Sequence, residues 1–197
     1  IIRILPLITK PKETRPLHYL KEENRMVEFK KLTASDMEES LKLSEFAFQY
    51  TLTPEEKQHR LKVLVPEETV GCFSEGKLIA KMTVFPMNIT IGDKVMAMGG
   101  VSGVATYPEY RRQGLVAQLL KQGLEEMKNA GQTISYLAPF SIPFYRKYEW
   151  ELFADFQKLT LTREQLPRWK NRKGTMTRIA DDKFAGLKGI YEEYEKK

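Results

Sequence analysis

The amino-acid sequence predicts a main domain of the α/β class, of the α+β type, in which helices cover both faces of a mixed, mainly antiparallel sheet. Residues 69–107 contain three apolar stretches of strand length separated by short turn pairs, a pattern typical of antiparallel hairpins. Apolar residues at helical spacing then occupy 115–127, and further strand-like and helix-like segments follow. The complete predicted order is β-α-α-β-β-β-α-β-α-β.

The first strand is predicted from Met26, in "MVEFKKLT", and two helices follow it. Ser35 and Glu38 have the spacing of a capping box, which predicts the start of the first helix. Thr53 followed by Pro54 predicts the start of the second, because threonine is a good N-cap and proline is tolerated at the first helical position.

Three strands are predicted next, joined by the turn pairs Glu75-Gly76 and Gly92-Asp93. The last of them contains Gly99, Gly100 and Gly103, although glycine weakens a strand. Such a cluster indicates a bulge or the close approach of a ligand or another backbone, and crowded packing is the alternative explanation.

The helix over 115–127 is predicted to end at Gly131, which stands where a C′ glycine belongs. A buried strand in "TISYLAP", a short helix in "SIPFYRKYEW" and a last strand in "ELFADFQKLTL" complete the domain, to which we assign residues 26–165. Residues 166–197 are predicted to be a polar connector and one amphipathic helix, the beginning of a second domain that has been cut off.

Residues 1–25 are predicted to be a non-native or disordered leader. The segment contains three prolines, lacks a clear apolar period and does not have the layout of a signal peptide. The codons of "KEENRM" are able to spell a bacterial ribosome-binding site before Met26. We therefore expect Met26 to be the natural first residue, which the nucleotide sequence of the gene tests.

The composition supports a globular domain and excludes several classes of protein. The chain has 197 residues, 42% of them hydrophobic, so one domain of roughly 150 residues with additional segments is expected. The net charge is +6, to which residues 1–25 contribute +3 through six Lys and Arg and three Glu, and no basic run interleaved with aromatic residues is present. No run approaches the roughly 18 apolar residues of a membrane span. We predict neither a nucleic-acid partner nor a membrane partner.

Few residues of the chain are suited to metal or nucleophilic chemistry. The phosphate-loop pattern is absent, and "GGVSGV" does not match the dinucleotide-binding pattern. The chain has two histidines, His18 and His59, and the single Cys72. These residues exclude clustered metal ligands and make a Ser-His-Asp or Cys-His catalytic arrangement implausible. Cys72 also excludes an internal disulfide, which fits a cytoplasmic protein, and its apolar surroundings predict burial. Acid–base chemistry must therefore use a tyrosine, a carboxylate, the backbone or water.

The stretch "GVATYPEYRRQGLV" places a strand directly before a loop and a helix N-terminus. Unpaired N–H groups at a helix N-terminus bind anions, and Gly114 permits a close approach to the backbone. Arg111 and Arg112 add charge and forked hydrogen bonds, which suits a pyrophosphate. The alternative is that both arginines are solvated surface residues.

This stretch resembles motif A of the GNAT superfamily of acetyl-CoA-dependent N-acetyltransferases, with Arg111 and Gly114 at motif positions and Val116 larger than the general pattern. A doubled arginine with a larger apolar residue is typical of the enhanced-intracellular-survival (Eis) branch, as is "SIPFYRKYEWEL". The resemblance covers residues 26 to about 165 and implies a GNAT fold. The helix in 174–197 resembles the start of the second GNAT-like domain of that branch.

The resemblance implies that acetyl-CoA is the co-substrate and that no metal is used. Its pantetheine would lie beside a strand segment and its pyrophosphate on a loop and helix start; the residues implied are Val104, Ala105, Thr106, Arg111, Arg112, Gln113, Gly114, Leu115 and Val116. A primary amine of a polyamine, an aminoglycoside or a protein lysine would attack the thioester directly, and Tyr145 would be the general acid. The alternative to this catalytic role is that Tyr145 and Tyr148 are aromatic residues of the core.

The general base is not identified by the sequence. In the Eis branch it involves the carboxylate at the end of a later domain, whereas this chain ends at Lys197. Glu45 and Glu55 are acidic candidates without a distinguishing spacing. A non-catalytic acyl-CoA-binding regulatory module therefore remains an alternative to an enzyme, and relatives in the branch suggest a hexamer.

Overall fold

The structure is a computed structural model that describes residues 2–4, 20–22, 25–154, 158–166, 174–175, 178 and 187–195. The chain forms two compact units. The first consists of Ile1–Ile89 and Val95–Phe153, and the second of Thr90–Lys94 and Ala154–Lys197. The features of the candidate site described below belong to the first unit.

The described residues form seven strands: β1 (Ile2–Ile4), β2 (Leu20–Glu22), β3 (Arg25–Lys31), β4 (Thr69–Ser74), β5 (Lys77–Ile91), β6 (Lys94–Thr106) and β7 (Ile134–Leu137). They make one sheet in the order β1-β7-β6-β5-β4-β3-β2. Strands β6 and β7 are parallel, whereas the pairs β1–β7, β2–β3, β3–β4 and β4–β5 are antiparallel. The mixed, mainly antiparallel sheet that the sequence predicts is therefore confirmed.

The described residues form five α-helices: α1 (Met37–Phe48), α2 (Pro54–Val63), α3 (Leu115–Asn129), α4 (Ile142–Arg146) and α5 (Lys188–Glu195). The predicted start of α2 is confirmed, because the N–H of Glu56 donates to Oγ1 of Thr53 at 3.2 Å. The capping box predicted for α1 is wrong. A short 3-10 turn, Ala34–Asp36, precedes that helix, and the N–H of Thr33 donates to the carboxylate of Asp36 at 2.8 Å.

Two hydrophobic clusters hold helices on the sheet. In one cluster, Leu119, Leu120 and Met127 of α3 pack against buried strand residues. In the other, Met37 and Leu43 of α1 pack against a different set: Leu32, Phe73, Leu78 and Ala105. The prediction that Cys72 is buried is confirmed, and this burial raises the pKa of its thiol to about 12, which keeps the sulfur protonated and inert.

Different structural constraints explain the glycines at positions 99 and 103 of β6. A Cβ on Gly99 would stand 2.7 Å from Cγ of the buried Met127, so crowded helix-on-sheet packing explains this position. Gly103 has a φ of +58°, a conformation that glycine adopts readily and that interrupts a regular strand. The predicted turns Glu75-Gly76 and Gly92-Asp93 are both present.

The ends of the chain differ from the sequence-based expectation. Ile2–Ile4 and Leu20–Glu22 form the two outer strands of the sheet, and most of the remaining predicted leader lies outside the described residues. The strand predicted over 151–161 is wrong for the described residues: Glu151 makes an isolated bridge, and 152–154 and 158–161 have no regular structure. Helix α5 lies within the predicted terminal helix, whose first part falls outside the described residues.

Candidate active site

Strand β6 is longer than its parallel neighbour β7, which leaves part of its edge open. The paired register runs from Met98 opposite Ile134 to Val101 opposite Leu137, where β7 ends. Strand β6 continues to Thr106, so residues 102–106 have no β7 partner for their main-chain groups. This is the segment beside which the sequence analysis expects the pantetheine of acetyl-CoA.

The end of β6 is connected to helix α3 by a tight loop. The carbonyl oxygen of Thr106 accepts a hydrogen bond from Nε of Arg111 at 3.4 Å. Arg112 and Gly114 both have a positive φ, of +64° and +73°. A non-glycine residue in this region costs roughly 1 kcal/mol or more, so the fold holds Arg112 in a strained conformation.

The N-terminus of α3 has no side-chain cap and no acidic residue in its first turn. Its first helical hydrogen bond runs from the N–H of Gln118 to the carbonyl of Gly114 at 3.2 Å. The N–H groups of Leu115, Val116 and Ala117 are therefore outside the helical hydrogen-bond pattern. Helices α1 and α2 both carry two glutamates in their first turns. The positive end of the α3 dipole consequently lacks a negative side chain of its own.

Thr106 adds an unpaired polar group beside this loop. Its side chain is 8% exposed, and within the described part of the chain its Oγ1 has no hydrogen-bond partner. A buried hydroxyl without a partner costs free energy, and such groups are frequently paired by water or a ligand. The predicted donor-site residues, 104–106 and 111–116, thus form one continuous strand end, loop and helix start.

A cavity of about 400 Å³ lies next to the open edge of β6. It is lined from α1, α2, β4, β5, β6 and the segment around α4. Val104 and Tyr145 are the two predicted site residues that line it. The other lining residues are Met37, Ser40, Leu41, Ser44, Phe48, Tyr50, Arg60, Leu64, Thr69, Lys81, Thr83, Phe85, Val101, Ser102, Gly103, Ala138 and Phe140.

Tyr145 is held in a cluster of aromatic rings. It is buried, and its ring makes edge contacts with those of Phe140, Phe144 and Trp150 at centroid distances of 5.6, 5.1 and 6.4 Å. Burial raises the pKa of its phenol above the usual value of 10.0. The hydroxyl therefore remains protonated at neutral pH. The sequence offers two interpretations of Tyr145, a general acid and a core aromatic residue. The geometry is compatible with both, because the residue belongs to the core and also lines the cavity.

Lys81 is a cavity residue that the sequence analysis missed. Its side chain is 5% exposed, and its Nζ donates to Oγ of Ser40 at 2.7 Å. Burial lowers the pKa of this amine from 10.5 to about 8. A lysine within the apolar stretch "KLIAKMTVF", two residues before Thr83 on the same strand face, is the signal that identifies such a residue.

The remaining polar groups of the cavity are hydroxyls and one further cation. Oγ1 of Thr69 and Oγ1 of Thr83 share a hydrogen bond of 2.8 Å. Nη1 of Arg60 donates to the hydroxyl of Tyr50 at 3.1 Å, and the guanidinium lies 5.1 Å from the centre of that ring. The lining contains Lys81 and Arg60 and neither an aspartate nor a glutamate.

The two carboxylates proposed from the sequence lie outside this lining. Oε1 of Glu45 accepts the N–H of Leu52 at 2.7 Å, and Glu55 is exposed in the first turn of α2. Among the described residues, no group of three His, Cys, Asp or Glu side chains is arranged to hold a metal ion. No helix in the same part of the chain has the length and apolar character needed to cross a membrane.

The chain is similar to known acetyltransferases over most of the first unit. A sequence profile of the acetyltransferase (GNAT) domain matches residues 28–153. A protein of Streptomyces avermitilis described as an uncharacterized N-acetyltransferase is 30% identical over 90 residues, which are 45% of this chain and 22% of that protein. This chain therefore matches only a part of a longer relative.

Solved structures show the same similarity. A probable N-acyltransferase from Enterococcus faecalis, described as a conserved protein of unknown function, is similar with a TM-score of 0.58 and 31% identity, over 62% of this chain and 31% of its own. Eis1 from Mycobacterium abscessus is similar with a TM-score of 0.55 and 17% identity, over 62% of this chain and 30% of its own. The similarity to Eis1 supports the fold alone.

Proposed function

Because the chain belongs to the family of acetyltransferase (GNAT) domains, we propose that it is an N-acetyltransferase that transfers an acetyl group from acetyl-CoA to a primary amine. The observation that supports this proposal is the arrangement along β6. Its open edge leads into the uncapped N-terminus of α3, and the cavity lined by Val104 and Tyr145 lies next to the same edge.

The donor half of the proposed site uses main-chain groups. The free N–H groups at the start of α3 are donors for a pyrophosphate, and the dipole of that helix favours the negative charge. Arg111 and Arg112 are exposed and able to reach the phosphates. Apart from the carbonyl of Thr106, which accepts a hydrogen bond from Arg111, the main-chain groups of 104–106 on the edge beyond β7 are available to the amide groups of pantetheine, as strands add to open sheet edges.

The acceptor half lies in the cavity. The neutral amine attacks the thioester carbonyl, so a C–N bond forms while the C–S bond breaks. A main-chain N–H of β6 stabilises the negative charge that develops on the carbonyl oxygen. Tyr145 gives its proton to the departing thiolate and is reprotonated from solvent. The proton lost from the amine passes to water, because no carboxylate is among the residues that line the cavity.

Within the GNAT superfamily, we propose that this chain is related to the Eis branch. This proposal rests on "RRQGLV" and "SIPFYRKYEWEL" in the sequence. The general base that this branch has at the end of a later domain, and its hexameric state, stay predictions.

A non-catalytic acyl-CoA-binding regulatory module is the second candidate. The absence of carboxylates from the cavity lining favours it, because a GNAT enzyme needs a route for the proton of the acceptor amine. Both candidates bind acetyl-CoA, and only the enzyme releases CoA in a manner that depends on Tyr145.

Two measurements test these functions. Calorimetric titration with acetyl-CoA must show binding, and its absence would contradict both candidates. Tyr145→Phe keeps the ring contacts and removes the hydroxyl, so kcat for acetylation is expected to fall on the order of 100-fold while acetyl-CoA affinity is preserved. Tyr148→Phe is the matched control on the neighbouring, half-buried ring. Full turnover by Tyr145→Phe would remove the general-acid role.

A further inference from the structure

The charged residues that line the cavity indicate which class of acceptor it binds. Lys81 of β5 donates to Ser40 of α1 within the cavity, and Thr83, which also lines it, lies two residues further along the same strand. None of the lining residues is acidic. We propose that the acceptor amine carries a carboxylate or phosphate group and that Lys81 binds this anion. The inference rests on the proposed function, since it names the class of its substrate.

Lys81 has the donors that such an anion requires. An ammonium group has three N–H donors, and the bond to Oγ of Ser40 uses one. In the described part of the chain no carboxylate forms an ion pair with this Nζ. A buried ammonium without an anion is costly, and an acceptor that supplies the negative charge removes much of that cost.

Arg60 adds a second positive charge to the same cavity. Its guanidinium is fixed against Tyr50 by a hydrogen bond and by stacking on the ring. A polyamine or an aminoglycoside would bring several positive charges into a space that holds two cations and no counter-charge, which disfavours binding. A zwitterionic acceptor, with its amine directed toward the thioester and its anion toward Lys81, matches the charges present.

The size of the cavity suits a small acceptor group. A volume of about 400 Å³ is at the lower end of ordinary ligand pockets, which span roughly 300–1,000 Å³. The acetyl group and the end of pantetheine occupy part of this space during the reaction. We therefore expect a short-chain amine with one anionic group as the acceptor.

The anion site is tested without any catalytic step by labelling the full chain with a trace of acetic anhydride near pH 8. The measurement compares Lys81 with the exposed Lys42, using sodium propionate or sodium phosphate against sodium chloride at equal ionic strength. An anion bound at Lys81 that moves the pKa from about 8 to about 9 reduces the neutral fraction, and hence the labelling rate, about fivefold. Protection by propionate indicates carboxylate recognition, and protection by phosphate indicates phosphate recognition. No protection by either anion would show that the proposal is wrong.

The acceptor class is tested by kinetics with 3-aminopropionate, 2-aminoethyl phosphate, propylamine and 1,3-diaminopropane. The anionic amines are expected to have the higher kcat/KM, and Lys81→Met is expected to reduce their advantage over propylamine on the order of 100-fold. Lys42→Met, at an exposed position on α1, is the control. A preference for the diamine, or an equal loss with every acceptor in Lys81→Met, would contradict anion recognition and instead indicate a general-base or structural role. If acetyl-CoA does not bind, the proposed function fails, while the labelling result still decides whether the anion site exists.

Discussion

Replacing Lys81 by methionine, which removes the charge at little change in side-chain length, is expected to stabilise the protein at neutral pH. Burial lowers the pKa of Lys81 from 10.5 to about 8. At 1.36 kcal/mol for each pKa unit, the folded state carries a penalty of about 3 kcal/mol when the amine is protonated. Loss of the hydrogen bond to Ser40 offsets about 1 kcal/mol. The free energy of unfolding of Lys81→Met should therefore exceed that of the wild type by about 2 kcal/mol.

The pH dependence of this stability difference tests whether the charge of Lys81 is its cause. Below pH 8 the amine is protonated in both the folded and the unfolded state, so the penalty on the wild type is complete. Between pH 8 and 10.5 the unfolded state holds a proton that the folded state has released, and the stability of the wild type rises with pH. Above pH 10.5 both states are neutral, and the advantage of the methionine variant over the wild type should disappear.

Urea denaturation near pH 7 and near pH 10 measures the difference. Lys42→Met removes an exposed charge from α1, and its difference from the wild type should be small at both pH values. A Lys81→Met variant that is less stable than the wild type near pH 7, or whose difference is equal at both pH values, would refute the conclusion that this lysine is an unpaired buried cation.

Two glycine substitutions test the donor half and the packing of α3. Gly114→Ala is expected to weaken acetyl-CoA binding at least tenfold in calorimetry, because it places a methyl group at the proposed pyrophosphate site. Gly131→Ala, at the other end of α3, is the control. Gly131 has a φ of +72°, Gly114 has a φ of +73°, and neither has an atom within 4 Å of an added Cβ, so both variants carry the same backbone strain. Gly131→Ala should preserve the affinity for acetyl-CoA. Gly99→Ala is expected to lower the free energy of unfolding by about 1–3 kcal/mol because its methyl group collides with Met127. Gly189→Ala, with no atom within 4 Å of the added carbon, should leave urea unfolding nearly unchanged, and equal effects at Gly99 and Gly189 would contradict the packing argument.

The parts of the fold that were predicted correctly depend on local signals. The turn pairs at 75–76 and 92–93 require particular backbone conformations that glycine adopts readily, and the apolar period of α3 extends over four turns. The capping box of α1 was placed two residues too late, because serine and glutamate have the right spacing inside a region where Thr33 and Asp36 already close the 3-10 turn.

The strand predicted over 151–161 shows the limit of such signals. Its apolar residues suit a strand, but a strand also needs a neighbour with free hydrogen-bonding groups. In the described residues, β7 is already paired with β6 on one side and with β1 on the other. Leu159 is 78% exposed, so this apolar position of the segment is not buried.

The two halves of the candidate site differ in how far a sequence can predict them, and the difference follows from the groups that each half uses. The donor half depends on main-chain N–H groups at one strand end and one helix start, which are contiguous between residues 104 and 116, so a local motif is sufficient to locate it. The acceptor half depends on side chains from separate elements: Ser40 and Lys81 are 41 residues apart and meet only after α1 packs on the sheet. A lysine in an apolar strand has no sign of its partners in the sequence. The proposed preference for an anionic acceptor therefore depends on the tertiary structure and not on a local motif.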